Sequence, residues 1–511
     1  FKLKKKRAIR SFHSNFLTEL KSSDPGKFYN MCKKIGAVDD ITDGALKIQC
    51  LDGRTDRECA EAVAQHFAAI SNEYKPVDLT MLPAFLPALP PEQFEEYEVY
   101  EKLRRLKCTK GTLPIDIPGK LRKEVEVELT VPLTHIINTA LATGHYPALW
   151  KREYVSPVPK IKEPQVIKDV RKIAGTSDYN KLLESFLKDF FIADVLPNID
   201  PKQFGGRKKT GTEHMVVALM DRVLSLLDNN NTKSAVIMAA ADWAAAFDRG
   251  DPTKTTSKLI MLNLRPSVVP LVISYMSGRS MSVNFNQSES GIYSLCGGFP
   301  QGSKIGQDCY QGASNDAADH VDMDDRFRYV DDLQILDLIM LTGILHDYNI
   351  YSHVASDIPL DHQFLDPADT HVQSQLDQLS FWTDQNLMKL NPAKCDYLIL
   401  SRCQTDFVTR LTVNGTQIDQ KVATKVLGCW IEEEPGKWAK NTSELVKSAY
   451  SRISMLSKLK YTGVSTADLL DIYKLFIRSR LWHHQFNHFF VMWLQLCMEL
   501  EHFFNPVAWE A

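Results

Sequence analysis

Phe327-Arg328-Tyr329-Val330-Asp331-Asp332-Leu333-Gln334-Ile335-Leu336 places two adjacent carboxylates between two short apolar runs. Each run has the composition of a β-strand, and the acidic pair stands where a tight turn belongs. The stretch predicts a β-hairpin whose tip presents side-by-side anionic oxygens. Hard divalent cations prefer such oxygens. Asp also favours ordinary surface turns, so the pair gains meaning only from its surroundings.

A second run, Ser234 to Ala241 (SAVIMAAA), is small and apolar throughout and ends on Asp242, with Phe247 and Asp248 shortly after. It reads as a buried strand with a polar end. Gly297 to Ser303 (GGFPQGS) is a turn-rich loop opening a helix through Ala318. Leu387 to Leu400 turns into a strand and carries Lys394. Leu149 to Lys160 reads as a strand with basic and proline edges, and Ile167 to Ile173 precedes a helix. The loop Gln203 to Thr212 (QFGGRKKTGT) joins glycines to three cations, with Thr212 placed to cap the following helix. Phosphate contact and a solvated turn are both compatible with that loop.

The remaining chain supplies the frame. Cys59 to Ile70, Glu92 to Leu106, Val131 to Thr143 and Val372 to Gln385 have helical character, with Pro132 in a first turn. Lys27 to Ile35 is a further amphipathic segment, and residues 76–92 form a Pro-rich linker. Asn414-Gly415 marks a tight hairpin, and Lys425 to Ile431 (KVLGCWI) a short strand. Beyond it, Asn441 with Glu444 and Ser465 with Asp468 form helix caps. The first of these helices carries Lys447, Arg452, Lys458 and Lys460, a basic face of the kind that tracks a phosphate backbone.

Composition bounds the class. At 511 residues the chain accommodates several domains, and 44% hydrophobic against 24% charged residues argues for a globular protein. The net charge of −3 gives a nucleic-acid partner no support, so that case rests on local patches. Ten scattered cysteines without paired metal-ligand spacing argue for reduced intracellular thiols. No apolar run has the length of a membrane span and no signal peptide opens the chain. A first residue of Phe suggests a piece of something longer. The basic run Lys2 to Arg10 reads as a solvated charge run, with nucleic-acid contact or a nuclear address as its alternatives.

Taken in order, these signals resemble the reverse transcriptase domain of non-LTR (LINE-like) retrotransposons, from about Leu106 to Arg480. The matching motifs are Pro157 to Lys160, Arg171, Gln203 to Lys208, Asp242 to Asp248, Pro300 to Ser303, Tyr329 to Asp332, Leu390 to Lys394 and Lys425 to Ile431. The resemblance implies an α+β right-hand polymerase with fingers, palm and thumb and a helical N-terminal extension. The corresponding segments are 1–110 for the extension and linker, 111–240 for fingers, 234–435 for palm, 436–480 for thumb and 481–511 for an atypical tail. It implies RNA-directed DNA synthesis with two Mg²⁺ (or Mn²⁺) ions, an RNA template, a DNA primer and dNTPs, without a membrane and with action in the nucleus. Another template-dependent polymerase (a viral RNA polymerase or a maturase) or a catalytically silent, RNA-binding remnant are the alternatives.

By the same resemblance, Asp242, Asp331 and Asp332 hold the metal ions and Lys394 protonates pyrophosphate. Lys160 and Arg171 hold the triphosphate, Phe247 is a steric gate under the sugar, and Gln301 and Gly302 lie beside the base pair. Val426 to Ile431 matches the primer grip. Nucleic-acid contact falls to Arg207, Lys208, Lys447, Arg452 and Lys458. The chain departs from the pattern where Arg171 is followed by Lys172-Ile173-Ala174 instead of Pro-Ile-Ser, and in a long link from Asp337 to Asp369. The tail places His484 and His488 at metal-ligand spacing with no third ligand, which favours an apolar helix.

Overall fold

The computed structural model describes residues 46–85, 92–108, 112–229, 234–340, 363–364, 371–402, 407–461 and 464–475, with single residues between 19 and 28. The expectations for the basic run at 2–10, for most of the segment 27–35 and for the tail at 481–511 lie outside the described residues. The strands used below are β1 (Arg152–Pro159), β2 (Val170–Gly175), β3 (Ser234–Ala241), β4 (Arg279–Phe285), β5 (Arg326–Tyr329), β6 (Asp332–Met340), β7 (Asp396–Ser401), β8 (Asp419–Lys421), β9 (Ala423–Val426) and β10 (Cys429–Glu432). The helices are α1 (Asp56–Ser71), α2 (Thr212–Asn229), α3 (Gly306–Ala313), α4 (His371–Gln385) and α5 (Ala439–Tyr461).

The fold is mixed α/β. Its central sheet runs β8-β7-β3-β6-β5, antiparallel except for the β7–β8 pair. β3 lies in the middle, which explains its unbroken apolar sequence. Ala235, Ile237, Ala239 and Ala241 enter one core while Val236 and Met238 enter another, so the two-residue period of a strand feeds both faces. Burying one such aliphatic side chain contributes about 1.5–3 kcal/mol, so β3 is fixed against slippage on both sides. β6 and β7 divide their residues the same way: Leu333, Ile335, Tyr397 and Ile399 on one face, Leu336, Leu398 and Leu400 on the other.

Helix α2 covers the second face through Met215, Val216, Leu219, Met220, Val223 and Leu227, a spacing that forms one apolar stripe. The first face is covered by α3, α4 and the helices Glu96–Arg104, Glu126–Thr143, Asp178–Phe190, Pro252–Met261 and Val269–Met276. Asp337 helps seat α4, since its carboxylate accepts the Val372 N–H at 3.1 Å.

A second sheet pairs β1 antiparallel with β2 and parallel with β4. Helix α1 packs on it through Cys59, Ala60, Val63, Ala64, Phe67 and Ala68, against Val155, Val170, Met281, Val283, Phe285 and Leu295. The three alanines let helix and sheet approach closely. A capping box starts α1, with Glu58 N–H donating to Thr55 Oγ1 and Thr55 N–H to the Glu58 carboxylate.

Four local expectations are corrected. Lys425 to Ile431 is not one strand: β9 and β10 form a hairpin that turns on Leu427-Gly428, both at positive φ. The helix around 131–143 begins at Glu126, so Pro132 lies inside it. The helix after the Gly-Pro loop ends at Ala313, not Ala318. Asn441 lies within α5 and caps nothing; buried, its Oδ1 accepts the Trp430 N–H at 3.2 Å and ties α5 to β10. The Ser465 cap is as expected, Ser465 Oγ accepting from Asp468 N–H at 3.1 Å.

Candidate active site

Strand register brings the acidic residues together. β3 and β6 pair Ala241 with Leu333, so the next step of the same register sets Asp242, at the end of β3, opposite Asp332. β5 and β6 close through Tyr329 and Asp332, leaving Val330-Asp331 as the two-residue turn. Asp331 and Asp332 therefore project from one hairpin tip beside the end of the central strand.

The electrostatics agree with convergence. Packing against the protein raises the Asp332 carboxyl to about 6, reinforced by the charges of Asp331 and Asp242 and opposed by Lys394. Asp331 is raised by the same packing and by Asp242, against the pull of Lys394 and Arg171. Ionised Asp331 and Asp332 are thus disfavoured, and a cation at the tip would relieve this. Among the described residues, no group of three or more His, Cys, Asp or Glu side chains stands close enough to enclose a metal ion with protein ligands alone.

Lys394 reaches this cluster from the turn before β7. Its Nζ lies 3.4 Å from Asp242 Oδ1, and both side chains are open to solvent. The turn is bound to the strand end: Asn391 N–H donates to Asp242 O at 2.9 Å, and Ala244 N–H to Lys389 O at 2.8 Å.

Phe247 follows Ala245, whose φ of 55° swings the chain back under the strand end. The Phe247 ring is half-buried and stacks on the fully buried Tyr310 of α3, centroids 5.0 Å apart. Its carbonyl accepts the Phe299 N–H at 2.6 Å. The Gly-Pro loop is thereby held to the Phe247 turn. Gln301 O in turn accepts the Ala174 N–H at 2.8 Å, linking the loop to β2. Gly302 is required there: at φ 133° a Cβ would lie 2.3 Å from Ala174 O.

Arg171 faces outward from β2 and is exposed, while Val170, Lys172 and Ala174 alternate inward. The departure at Lys172 does not break the strand, which pairs with β1 from Val170 to Gly175. Lys172 is instead buried in an ion-pair network. Its Nζ is 3.1 Å from the Glu153 carboxylate and 4.0 Å from Asp248. Arg279 pairs with Glu153 and donates to Gly298 O. Burial works against ionised Glu153, yet Lys172 and Arg279 hold its carboxyl below the usual range.

Lys160 stands at the end of β1, exposed, donating to Lys168 O at 2.6 Å. Its own packing, then the cations Lys394 and Arg171, push it below the usual lysine range, with Asp248 opposing. Lys160, Arg171 and Lys394 thus share one electrostatic neighbourhood with the aspartates.

The cationic loop 203–212 behaves differently from its composition. Arg207 directs its guanidinium to the backbone, donating to Gln203 O at 2.7 Å, Ile199 O at 3.2 Å and Asp200 O at 2.9 Å. Lys208 is exposed. On α5, Lys447 is exposed and bound to Glu444 at 2.8 Å, and Arg452 and Lys458 are half-buried farther along. These three are not among the residues gathered at the carboxylates.

Two buried polar residues at the site have roles that the sequence does not show: Glu184 carries no signal at all, and Gln203 is visible only as the first residue of its motif. Glu184, pushed up by complete burial, accepts from Ser303 Oγ at 2.7 Å and from Lys304 N–H at 2.7 Å, and so anchors the Gly-Pro loop. Gln203 binds the hairpin tip itself.

No protein-family model matches the chain. A comparison with curated proteins finds similarity to the RNA-directed DNA polymerase from mobile element jockey of Drosophila funebris, 22% identical over 446 residues. The chain is a distant homologue of that polymerase. The matched region is 84% of this chain and 46% of the relative, so the chain spans about half the length of the curated relative it matches. No helix among the described residues is long and apolar enough to cross a membrane.

Proposed function

We propose that this chain is the reverse transcriptase of a non-LTR retrotransposon, copying an RNA template into DNA from a primer with dNTPs. The observation that carries the reading is the register that sets Asp242 beside the Asp331-Asp332 tip. In this reading β1 and β2 with their cations belong to the fingers, the central sheet is the palm and α5 begins the thumb. Action in the nucleus is part of the same proposal.

The donor chemistry fits a divalent cation. All three groups are hard carboxylates, and packing, reinforced by the charges of Asp331 and Asp242, raises Asp332 to about 6. Mg²⁺ is commonly held by one or two carboxylates plus substrate phosphates, so an all-protein cage is not needed. Asp242, Asp331 and Asp332 would hold such ions, which supply Lewis-acid stabilisation of the attacking and leaving oxygens. The chain's own residues do the rest. Lys160 and Arg171 offset triphosphate charge and Lys394, open to solvent beside Asp242, delivers a proton to the departing pyrophosphate. Phe247, backed by Tyr310, fills the space a ribose 2′-hydroxyl needs. Gln301 and Gly302 set the loop against β2. Lys447, Arg452 and Lys458 on α5, with Lys208, face the template–primer backbone.

Primer extension on an RNA template, with dNTPs and rNTPs compared under Mg²⁺ and Mn²⁺, tests the reading. Extension with dNTPs is expected. Preference for rNTPs would make it an RNA polymerase, and binding of template–primer without extension would make it a silent remnant.

A further inference from the structure

We infer that Gln203 is a positioning residue that clamps the carboxylate-bearing hairpin in a strained conformation. Val330 is the first of the two turn residues and has φ 59°. Positive φ at this position is the pattern of a type II′ turn, which normally takes glycine. For a β-branched residue it is an outlier that persists only where the surroundings impose it.

One side chain among the surroundings binds the backbone of this residue directly. Gln203 is 1% exposed, and its Oε1 accepts the Val330 N–H at 2.8 Å while its Nε2 donates to Val330 O at 3.3 Å. Both backbone groups of the strained residue are therefore bound by one amide, as a neighbouring strand would bind them. The second lone pair of Oε1 accepts the Gly205 N–H at 3.0 Å, which fixes the amide in turn.

The backbone around Gln203 is seated with equal care. Phe204 N–H donates to Arg328 O at 2.8 Å, and Arg328 N–H to Lys202 O at 3.0 Å, so the segment adds itself to the edge of β5. The buried Gln311 of α3 donates to Gly205 O at 2.7 Å. A Cβ on Gly205 would lie 2.6 Å from Val330 Cγ2 and 2.7 Å from Val330 N, so only glycine lets the loop pass this close. Arg207, bound to Gln203 O, closes the loop from behind. Asp331, adjoining Val330, takes its direction from this arrangement.

The consequence for Asp331 rests on the polymerase reading; the clamp itself does not. Two readouts separate them. Hydrogen exchange of the peptide 327–336 should rise at least about tenfold in Gln203→Leu. In the same variant, extension should fall about ten- to a hundredfold with a several-fold higher Mg²⁺ requirement and little change in primer affinity. Gln203→Glu keeps the acceptor and the size but loses the donor, and should fall between the two if the leucine variant folds poorly. The decisive variant is Val330→Gly. Glycine adopts the turn without a clamp, so adding it to Gln203→Leu should restore extension and exchange protection at least about fivefold, while alone it changes little. Strictly additive effects of the two substitutions on exchange would overturn the clamp. If the clamp's exchange signature holds but the intact chain extends no primer, the polymerase reading falls and the clamp stands. Unchanged exchange in Gln203→Leu, with extension by the parent chain intact, overturns the clamp and leaves the polymerase reading standing.

Discussion

Thr412 to Gln417 and Arg326 to Met340 both reverse direction in two residues, but by opposite means. In the first hairpin the turn is Asn414-Gly415, at φ 51° and 71°, residues that adopt positive φ readily. Its conformation is written in its own sequence. In the second, Val330 holds φ 59° against its local preference, and a glutamine 127 residues away in sequence holds it there. The first hairpin shapes the fold; the second carries Asp331 and Asp332. The strain at Val330 lies where chemistry is proposed and is supported from elsewhere, as expected of a site whose geometry matters more than its stability.

The largest effect should come from the chemistry-bearing tip. Asp331→Asn keeps the size and hydrogen-bonding reach of the side chain and removes its charge. Melting temperature should hardly move, whereas primer extension should fall at least about 10³-fold if ion positioning supplies several kcal/mol of the barrier. Near-normal extension by the purified variant would remove the tip's claim to be special.

Next is the residue beneath the strand end. Phe247→Val should raise incorporation of rNTPs relative to dNTPs about ten- to a thousandfold in single-nucleotide extension, with some loss of dNTP efficiency. Phe247 also packs against the first core and stacks on Tyr310, so the variant should melt lower as well. A lower melting temperature with an unchanged nucleotide ratio would return Phe247 to a purely packing role.

Much of this was legible because the signals are local. The apolar run of β3, the Asp-Asp turn and the Asn-Gly turn each announce themselves within ten residues. What the sequence hid depends on distance. Gln203 opens a recognisable motif and Glu184 carries no signal, but neither role shows until folding brings partners 127 and 119 residues away against them. The Lys172 network is hidden for the same reason, since Glu153 and Arg279 belong to different strands of one sheet. Arg207 had phosphate contact as one open reading by composition, yet its guanidinium closes its own loop. The β9–β10 hairpin did leave a clue: Gly428 inside an otherwise strand-like run is a turn signal. Leu427 at φ 49° beside it is not one that composition can supply.

A smaller effect tests the plain hairpin. Gly415→Ala meets no atom within 4 Å, so its cost is conformational alone, about 1 kcal/mol at φ 71°. The melting temperature should fall by about 2 °C in a chain of this size. Extension should be unchanged. Lost activity here would mean that the two hairpins are not separable into fold and function.

The smallest effect concerns Asp332 and runs against intuition. Its carboxyl is raised to about 6 in the fold from an ordinary value near 3.8, through packing and the charges of Asp331 and Asp242. The folded chain therefore binds this proton more tightly than the unfolded chain. The stabilisation is complete below about pH 4 and is lost as pH rises through about 6, so ionised Asp332 is a burden on the fold at neutral pH. Because the side chain is exposed, solvent screening limits the burden to about 1 kcal/mol at most. Asp332→Asn should consequently melt about 1–2 °C above the parent at pH 7.5 in chelator. The gap should close towards pH 4. Millimolar Mg²⁺ should raise the parent more than the variant, because the cation relieves the repulsion that the substitution has already removed. A variant that melts below the parent at pH 7.5 in chelator would show that the tip is not held against its own charge.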